Sequence, residues 1–229
     1  MSAKRQKLVG DLNAAVGTDG VVFVDASEGL GAKAVVTCGG AKVEVWTFGA
    51  HTVSWQVDGV ERTWMSGLSK MDGSAPIRGG VPLAFPQFAD QGALPLHGFA
   101  RTQLWTVAGS AITQTADGPR TSITLTLTDS PATQALWPHK FALAYTLTLG
   151  PRSISFELTA SNTGDSAWSF TGCLHTYLRF DDSSLVFHPT RYNMKIMCCS
   201  CTYIHVSDVH MYVHFLHIRI ACRYNISYF

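Results

Sequence analysis

Hydrophobic and polar residues alternate along several short stretches of the chain, as in β-strands that bury one face. In residues 121–128 (TSITLTLT), Ile123, Leu125 and Leu127 fall on one face and threonines on the other. Strands are predicted at residues 20–25, 33–37, 42–48, 51–57, 62–65, 103–108, 121–128, 141–149, 153–160 and 167–173. Strands at this spacing, with almost no helical periodicity, predict an all-β protein built as an antiparallel β-sandwich.

Turn residues separate the predicted strands and favour hairpins between neighbours. Asp58-Gly59 follows residues 51–57, and this dipeptide suits the positive φ values of a two-residue type I′ turn. The segment Gly150-Pro151-Arg152 separates two further strands in the same way. We therefore expect sheets assembled from antiparallel hairpins.

The composition is that of one apolar globular domain. In 229 residues, 14% are charged and 46% are hydrophobic, which excludes a disordered chain. A net charge of +1 gives no electrostatic reason to expect nucleic acid, and no run of about 18 apolar residues predicts a membrane span.

Four of the six cysteines crowd into the last 32 residues, which is not a disulfide framework. The first 20 residues lack the apolar core of a signal peptide. A cytoplasmic protein is expected; Asp11 and the few serines and arginines disfavour an organellar transit peptide.

Residues 75–101 (APIRGGVPLAFPQFADQGALPLHGFAR) are predicted to form a shaped, half-buried loop. Glycines and prolines interrupt this stretch too often for a helix, and it is too apolar for a solvated linker. Loops fixed on a β scaffold commonly supply binding groups. Arg78 and Arg101 bracket this loop, and His97 lies four residues before Arg101. The combination suggests an anion clamp beside an acid–base group.

Three motifs together resemble the glucose-6-phosphate 1-epimerases, which are hexose-6-phosphate mutarotases of the galactose-mutarotase-like superfamily. They are IRGGVPLAFPQF and LPLHGFAR in the central loop, and GCLHTYLR at residues 172–179. The resemblance covers residues 29–187 and implies an antiparallel β-supersandwich that is incomplete at its C-terminal end. On this basis residues 1–187 are the mutarotase-like domain, and residues 188–229 are a divergent tail outside the family fold.

The resemblance implies roles for two histidines. His175 would be the acid that protonates the sugar ring oxygen, a task that suits imidazole because its ordinary pKa is about 6.5. His97 would donate a hydrogen bond to the ring oxygen or to the anomeric hydroxyl. The alternatives are a core histidine bonded to a backbone carbonyl at position 175 and a turn residue at position 97. His51 and His139 lie in no motif and are expected to be structural or surface residues.

The resemblance also implies a phosphate clamp made by Arg78 and Arg101, whose planar guanidinium groups match two phosphate oxygens. Alternatively, either arginine is a surface residue that stacks on Phe85 or Phe99. Leu96 occupies a substrate-contacting position where relatives often carry glutamine. The implied reaction needs neither a metal nor an organic cofactor. The expected partner is a small-molecule hexose 6-phosphate bound by a monomer, without nucleic acid or membrane.

The tail has a different composition from the rest of the chain. All 20 glycines lie at or before Gly172, and no glutamate follows Glu157. One hypothesis is that residues from about 188 come from a different reading frame, a retained intron or an alternative exon. Cys198 and Cys201, with a downstream pair of histidines among His205 and the later ones, also allow a zinc site, although no second CxxC or glycine turn supports it.

The expected function is interconversion of the α and β anomers of a hexose 6-phosphate through acid–base ring opening. The resemblance implies a downstream glutamate as the general base, and this chain has none there. The activity of this chain is therefore expected to be impaired. The alternatives are a non-catalytic β-sandwich that binds sugar phosphates and an inactive truncated product.

Overall fold

The computed structural model describes residues 2–179, 194–197, 211–213 and 218–226. Two helices and one 3₁₀ turn accompany the strands: α1 (Ala3–Val16), α2 (Pro131–Leu136) and the turn Ala100–Thr102. The strands are β1 (Val21–Ser27), β2 (Gly31–Cys38), β3 (Ala41–Trp46), β4 (His51–Val57), β5 (Val60–Glu61), β6 (Leu83–Ala84), β7 (Thr106–Thr115), β8 (Gly118–Thr128), β9 (Phe141–Gly150), β10 (Ser153–Asn162), β11 (Trp168–Phe170), β12 (Cys173–Leu174), β13 (Met194–Met197), β14 (Met211–Val213) and β15 (Ile218–Ile226).

The first sheet contains β1 to β5 in sequence order, with every neighbouring pair antiparallel. Asp58 and Gly59 join β4 to β5 with φ values of 52° and 77°, which agrees with the predicted turn. The strand predicted at residues 62–65 is wrong, because β5 ends at Glu61. The Glu61 carboxylate accepts hydrogen bonds from the backbone N–H groups of Trp55 and Thr63, and this replaces the regular ladder.

The second sheet has the order β13-β15-β10-β9-β8-β7 and is also antiparallel. Buried and more exposed residues alternate along β8, β9 and β10, as their sequences predict. On the outer face, the hydroxyl groups of Thr124 and Thr146 are hydrogen-bonded across β8 and β9 at 2.9 Å.

Two further predicted strand boundaries are corrected. β7 begins at Thr106 and runs to Thr115, not over 103–108, because pairing with β8 extends it through a polar, exposed end. The strand predicted at 167–173 is divided into β11 and β12, and these pair with different partners.

The two sheets pack face to face, and β2 and β3 lie against β8 and β9. One hydrophobic core joins them, with Val43 and Trp55 from the first sheet and Leu125, Leu147 and Phe156 from the second, all nearly inaccessible to solvent. The predicted all-β sandwich is confirmed. Burial of aliphatic and aromatic side chains from both inner faces is the main force that holds such a sandwich together.

Helix α1 is the main element that the sequence analysis missed. Val9, Leu12 and Val16 pack against the core only partly, so the helix has a weak apolar stripe. The Asn13 side chain attaches it to β1 by donating to the Phe23 carbonyl and accepting from the Phe23 N–H, at 2.9 and 2.8 Å. Among the described residues, no helix is long and apolar enough to cross a membrane.

The described strands of the tail pair with the body of the protein. β15 lies beside β10, β13 lies beside β15, and β14 lies beside β11. That residues 188–229 lie outside the fold of the relatives stays a prediction. The residues of the possible zinc site, Cys198, Cys201 and His205, lie outside the described part of the chain.

Candidate active site

Backbone pairing brings the central loop and the GCLHTYLR segment together. β6 and β12 form a two-stranded antiparallel sheet in which Ala84 pairs with Cys173. Beyond this sheet, the His175 N–H donates to the Pro82 carbonyl at 2.9 Å, and the Tyr177 N–H donates to the Gly80 carbonyl at 2.8 Å. Residues far apart in the sequence therefore line one cleft.

Phe85 anchors the loop in the core. Its ring is fully buried, and the centroids of five other aromatic rings lie within 6.4 Å of its own: Phe99, Trp137, Phe141, Trp168 and Phe170. Gly98 has a φ of 67°, and a Cβ atom there would lie 2.2 Å from the Phe85 carbonyl oxygen. Only glycine fits this close approach. The loop is half-buried and shaped as predicted. Phe85 and Phe99 are too deeply packed for a surface arginine to stack on them, which argues against the alternative role considered for the two arginines.

His97 is held in a defined orientation at the end of this loop. Its backbone has a φ of 62°, and its N–H donates to the Ala89 carbonyl at 2.8 Å. The Ala89 N–H in turn donates to His97 Nδ1 at 3.1 Å. Because Nδ1 is the acceptor, Nε2 carries the proton of the neutral ring. Burial lowers the pKa of His97, and the nearby Arg101 and His175 lower it further. His97 is therefore set up as a neutral hydrogen-bond donor through Nε2.

His175 and His97 face each other across a small cavity. Their ring centroids lie 5.5 Å apart at an angle of 77°, and the Tyr177 ring stacks on His175 at 4.8 Å. The cavity has a volume of about 20 Å³, enough for one water molecule. Its described lining residues are Pro82, Ala84, His97, Arg101, His175 and Tyr177, and none of them is a carboxylate. A sugar would have to lie over the mouth of this cavity, against the exposed edges of the two imidazoles.

Arg101 supplies a partly buried positive charge to the same cavity. Its Nη2 donates to the Leu96 carbonyl at 2.7 Å. Its Nε is buried and has no hydrogen-bond partner among residues that the structure describes. Burial lowers the pKa of the guanidinium, an effect that Tyr177 partly opposes. A buried donor without a partner is costly, so an anionic ligand that accepts from it would be favoured.

Arg78 and Leu96 lie at the edge of the site. The Arg78 side chain is exposed and makes no hydrogen bond or ion pair within the described ranges, while its backbone N–H donates to Ser69 Oγ at 2.9 Å. The Leu96 side chain is 54% exposed, and only its carbonyl contacts Arg101. Of the five predicted site residues, the structure brings His97, His175 and Arg101 together and places the other two outside the cavity lining.

One residue of the cavity lining was not predicted to belong to the site. Tyr177 lies in the GCLHTYLR motif, and its position two residues after His175 could have indicated it. His51 is fully buried, and its Nε2 lies 2.7 Å from the Gly79 carbonyl oxygen. Because a carbonyl only accepts, Nε2 carries the proton. His51 is thus structural, as expected, and supports the backbone beside Arg78. His139 packs against Trp137 away from the cavity.

Acid should destabilise the protein through His51. Burial lowers the pKa of His51 to about 4, whereas the unfolded chain has the ordinary value near 6.5. Between pH 6.5 and 4 the unfolded state therefore takes up a proton that the folded state does not, and stability falls as the pH falls. We expect a loss of about 3 kcal/mol from His51 over this window. Urea unfolding at a series of pH values measures it.

The His51→Gln variant is the matched control, because its amide can still donate to Gly79 but does not titrate. The difference between the free energies of unfolding of wild type and variant at each pH gives the contribution of His51 alone, without that of the other histidines. Parallel stability curves for the two proteins from pH 7 to pH 4 would show that His51 does not cause the loss.

The chain is similar to a known enzyme family over most of its length. A family model described as aldose 1-epimerase matches residues 34–208. A protein of Escherichia coli (strain K12), named "Putative glucose-6-phosphate 1-epimerase", is 36% identical over 141 residues, which are 60% of this chain and 45% of the relative. A protein of Cenchrus ciliaris with the same name is 32% identical over 149 residues, or 62% of this chain and 45% of the relative. The chain thus spans about half the length of these curated relatives.

Solved structures show the same fold. The crystal structure of a "putative mutarotase (YeaD)" from Salmonella typhimurium matches with a TM-score of 0.61 and 29% identity, covering 72% of this chain and 53% of that one. The Slr1438 protein from Synechocystis sp. PCC 6803 matches with a TM-score of 0.53 and 28% identity, covering 61% of this chain and 51% of that one. Again, about half of each solved structure is matched.

Proposed function

Because the chain belongs to the aldose 1-epimerase family, we propose that it interconverts the α and β anomers of a hexose 6-phosphate. The observation that carries this proposal is the meeting of the His97 and His175 rings at 5.5 Å beside the partly buried Arg101. Two imidazoles at hydrogen-bonding range of one sugar, with a cation next to them, fit acid-assisted ring opening of an anionic sugar. The names of the curated relatives support glucose 6-phosphate as the substrate.

In the proposed reaction, His175 gives a proton to the ring oxygen as the bond between C1 and that oxygen breaks. A base removes the proton of the anomeric hydroxyl, so that C1 becomes an aldehyde. Rotation about the C1–C2 bond followed by the reverse steps gives the other anomer. His97 donates a hydrogen bond through Nε2 to a sugar oxygen, because its Nδ1 already accepts from the Ala89 N–H. On reclosure the base returns its proton to the aldehyde oxygen, and His175 takes back its proton from the C5 hydroxyl, so the protons balance.

The general base in this proposal is water. None of the described lining residues is a carboxylate, and the sequence has no glutamate after Glu157. A cavity of about 20 Å³ has room for one water molecule. Water is a weaker base than a carboxylate, so we expect slow catalysis that depends mainly on the acid. The second candidate function, binding of sugar phosphate without turnover, is favoured by the same lack of a carboxylate.

Anomer exchange of α-glucose 6-phosphate, followed by polarimetry from fresh solution, tests the proposal. The purified chain must first show β-structure and cooperative unfolding. Exchange faster than in the buffer blank supports the proposal that the chain is an enzyme. A folded chain that binds the sugar phosphate and does not accelerate exchange is the binding module instead. A chain that does neither is the inactive product.

The phosphate clamp predicts a specific loss of affinity in Arg78→Ala. The exposed guanidinium of Arg78 has no competing partner in the described structure, so we propose that it takes phosphate oxygens together with Arg101. Losing a charge-assisted hydrogen bond of roughly 1.5–3 kcal/mol should weaken binding of glucose 6-phosphate about 10- to 100-fold. Binding of free glucose should not change. Isothermal titration calorimetry of both sugars measures the difference.

Arg152→Ala is the control for Arg78→Ala. Arg152 forms an ion pair of 3.5 Å with Asp58, at the end of β4 opposite to His51. Its removal changes the net charge by the same amount without touching the cleft. Equal losses in the two variants would mean that overall charge, not a clamp, determines affinity, and an unchanged Arg78→Ala would remove Arg78 from the site.

A further inference from the structure

A row of aromatic rings crosses the candidate active site and extends beyond it. The centroid of Trp64 lies 5.9 Å from that of Tyr177, which stacks on His175 at 4.8 Å. His175 faces His97 at 5.5 Å, and His97 faces Phe88 at 5.6 Å. The cavity lies in the middle of this row, and Trp64 ends it. A pyranose ring is comparable in width to one such spacing, so the row is longer than the sugar ring that reacts.

Trp64 is held firmly at the rim although much of its ring faces solvent. The residue is 47% exposed. Its backbone N–H donates to the Tyr177 carbonyl at 3.0 Å, and its backbone carbonyl accepts from the Gly80 N–H at 2.8 Å. These bonds tie it to both segments that build the cleft. With its backbone held and its ring against Tyr177, the exposed tryptophan offers a large apolar face to a ligand.

The same backbone places Trp64 beside the proposed phosphate clamp. The Ser66 N–H donates to the Arg78 carbonyl at 3.1 Å, and Met65 forms a bridge with Gly79. Trp64 and the free guanidinium of Arg78 thus lie on adjacent backbone segments at one side of the histidines. A hexose that has its ring oxygen at His175 and its phosphate at Arg78 would have its C5–C6 portion between these two groups. Trp64 is linked to both, through Tyr177 to His175 and through backbone pairing to the segment of Arg78.

We propose that Trp64 contacts the substrate and determines specificity by packing its indole face against the C–H groups at C5 and C6. The inference rests on the proposed function and names the part of the hexose that this residue recognises. Carbon-bound hydrogens beside oxygen carry partial positive charge and are attracted to the negative face of an aromatic ring. The contact does not involve the reacting atoms, so it acts on binding and not on the chemical step.

Substitutions at Trp64 and a sugar without C6 test this role. Trp64→Ala should weaken binding of glucose about 3- to 10-fold, and glucose 6-phosphate by a similar factor. It should weaken binding of xylose by a smaller factor than binding of glucose, because xylose keeps C5 but lacks the C6 group. Trp64→Phe keeps an aromatic face and should recover most of the affinity. In turnover, KM should rise in Trp64→Ala while kcat stays the same. Thermal unfolding of each variant verifies that the cleft is intact.

The outcomes separate this inference from the proposed function. One outcome is that the wild type exchanges anomers and Trp64→Ala binds glucose as tightly as the wild type does. This overturns the role of Trp64 and leaves the proposed function standing. Equal losses for glucose and xylose also overturn it, because the residue would then act on the ring or through Tyr177. If the wild type does not exchange anomers and Trp64→Ala weakens binding of glucose more than binding of xylose, the role of Trp64 stands and the proposed function falls.

Discussion

Replacing His175 by glutamine should slow the catalysed part of the anomer exchange of glucose 6-phosphate, after subtraction of the buffer rate, by about 100-fold or more at saturation. General acid catalysis typically accounts for a factor of about 10² to 10⁴, and glutamine can donate a hydrogen bond but cannot transfer a proton at neutral pH. With water as the base, the acid carries most of the proposed acceleration, so the variant should approach the buffer rate. Exchange spectroscopy by NMR at equilibrium measures the rate without a coupling enzyme.

The substitution should not unfold the protein. His175 is held through its backbone N–H, which glutamine retains, and its ring is only half-buried. His139→Gln is the matched control, because His139 packs on Trp137 outside the cavity and should keep wild-type exchange. Wild-type exchange in a folded His175→Gln protein would show that another group protonates the ring oxygen.

Phe85→Ala should lower the free energy of unfolding by about 3–5 kcal/mol, as is usual for removal of a buried phenylalanine ring. Phe85 is inaccessible to solvent, and five aromatic rings surround it, so neighbouring side chains cannot easily fill the space. Its backbone also accepts from the Phe99 N–H and donates to the His97 carbonyl. Domains are typically stable by only about 5–15 kcal/mol, so this loss would be a large fraction of the total stability. Urea unfolding followed by circular dichroism gives the difference.

Phe88→Ala serves as the comparison within the same loop. The Phe88 ring is half-buried and lies against His97 at 5.6 Å, outside the aromatic core. We expect it to lose less than half of the stability that Phe85→Ala loses. Similar losses in the two variants would mean that the loop, and not the core around Phe85, limits stability.

Local alternation was sufficient to predict most of the sandwich. The strands β8, β9 and β10 each bury every second residue, and this period is visible in the sequence without any knowledge of partners. The pattern failed where other groups determine the structure. Glu61 ends β5 through side-chain hydrogen bonds, the polar end of β7 is held by its partner strand, and α1 has too weak a stripe to be seen.

The candidate site was predicted from motifs and not from spacing. His97 and His175 were named because the segments around them resemble a family, and no local pattern indicates that their rings would meet. Their contact depends on the pairing of β6 with β12, which is a long-range event. Trp64 and His51 have no motif, so only their burial and neighbours in three dimensions give them a role. The roles of all five predicted site residues stay predictions, and His175→Gln and Arg78→Ala test two of them.

The pairing of Ala84 with Cys173 also determines when a binding cleft can exist during folding. The chain between these two residues includes all of β7, β8, β9 and β10, so the cleft closes only after these four strands of the second sheet have been made. Contacts of such large sequence separation form late and slowly, because the entropy of a long loop must be lost first. On the ribosome, a nascent chain would acquire affinity for sugar phosphate only after Tyr177 has left the exit tunnel. Ligand binding is thus a test of completed folding from β1 to β12.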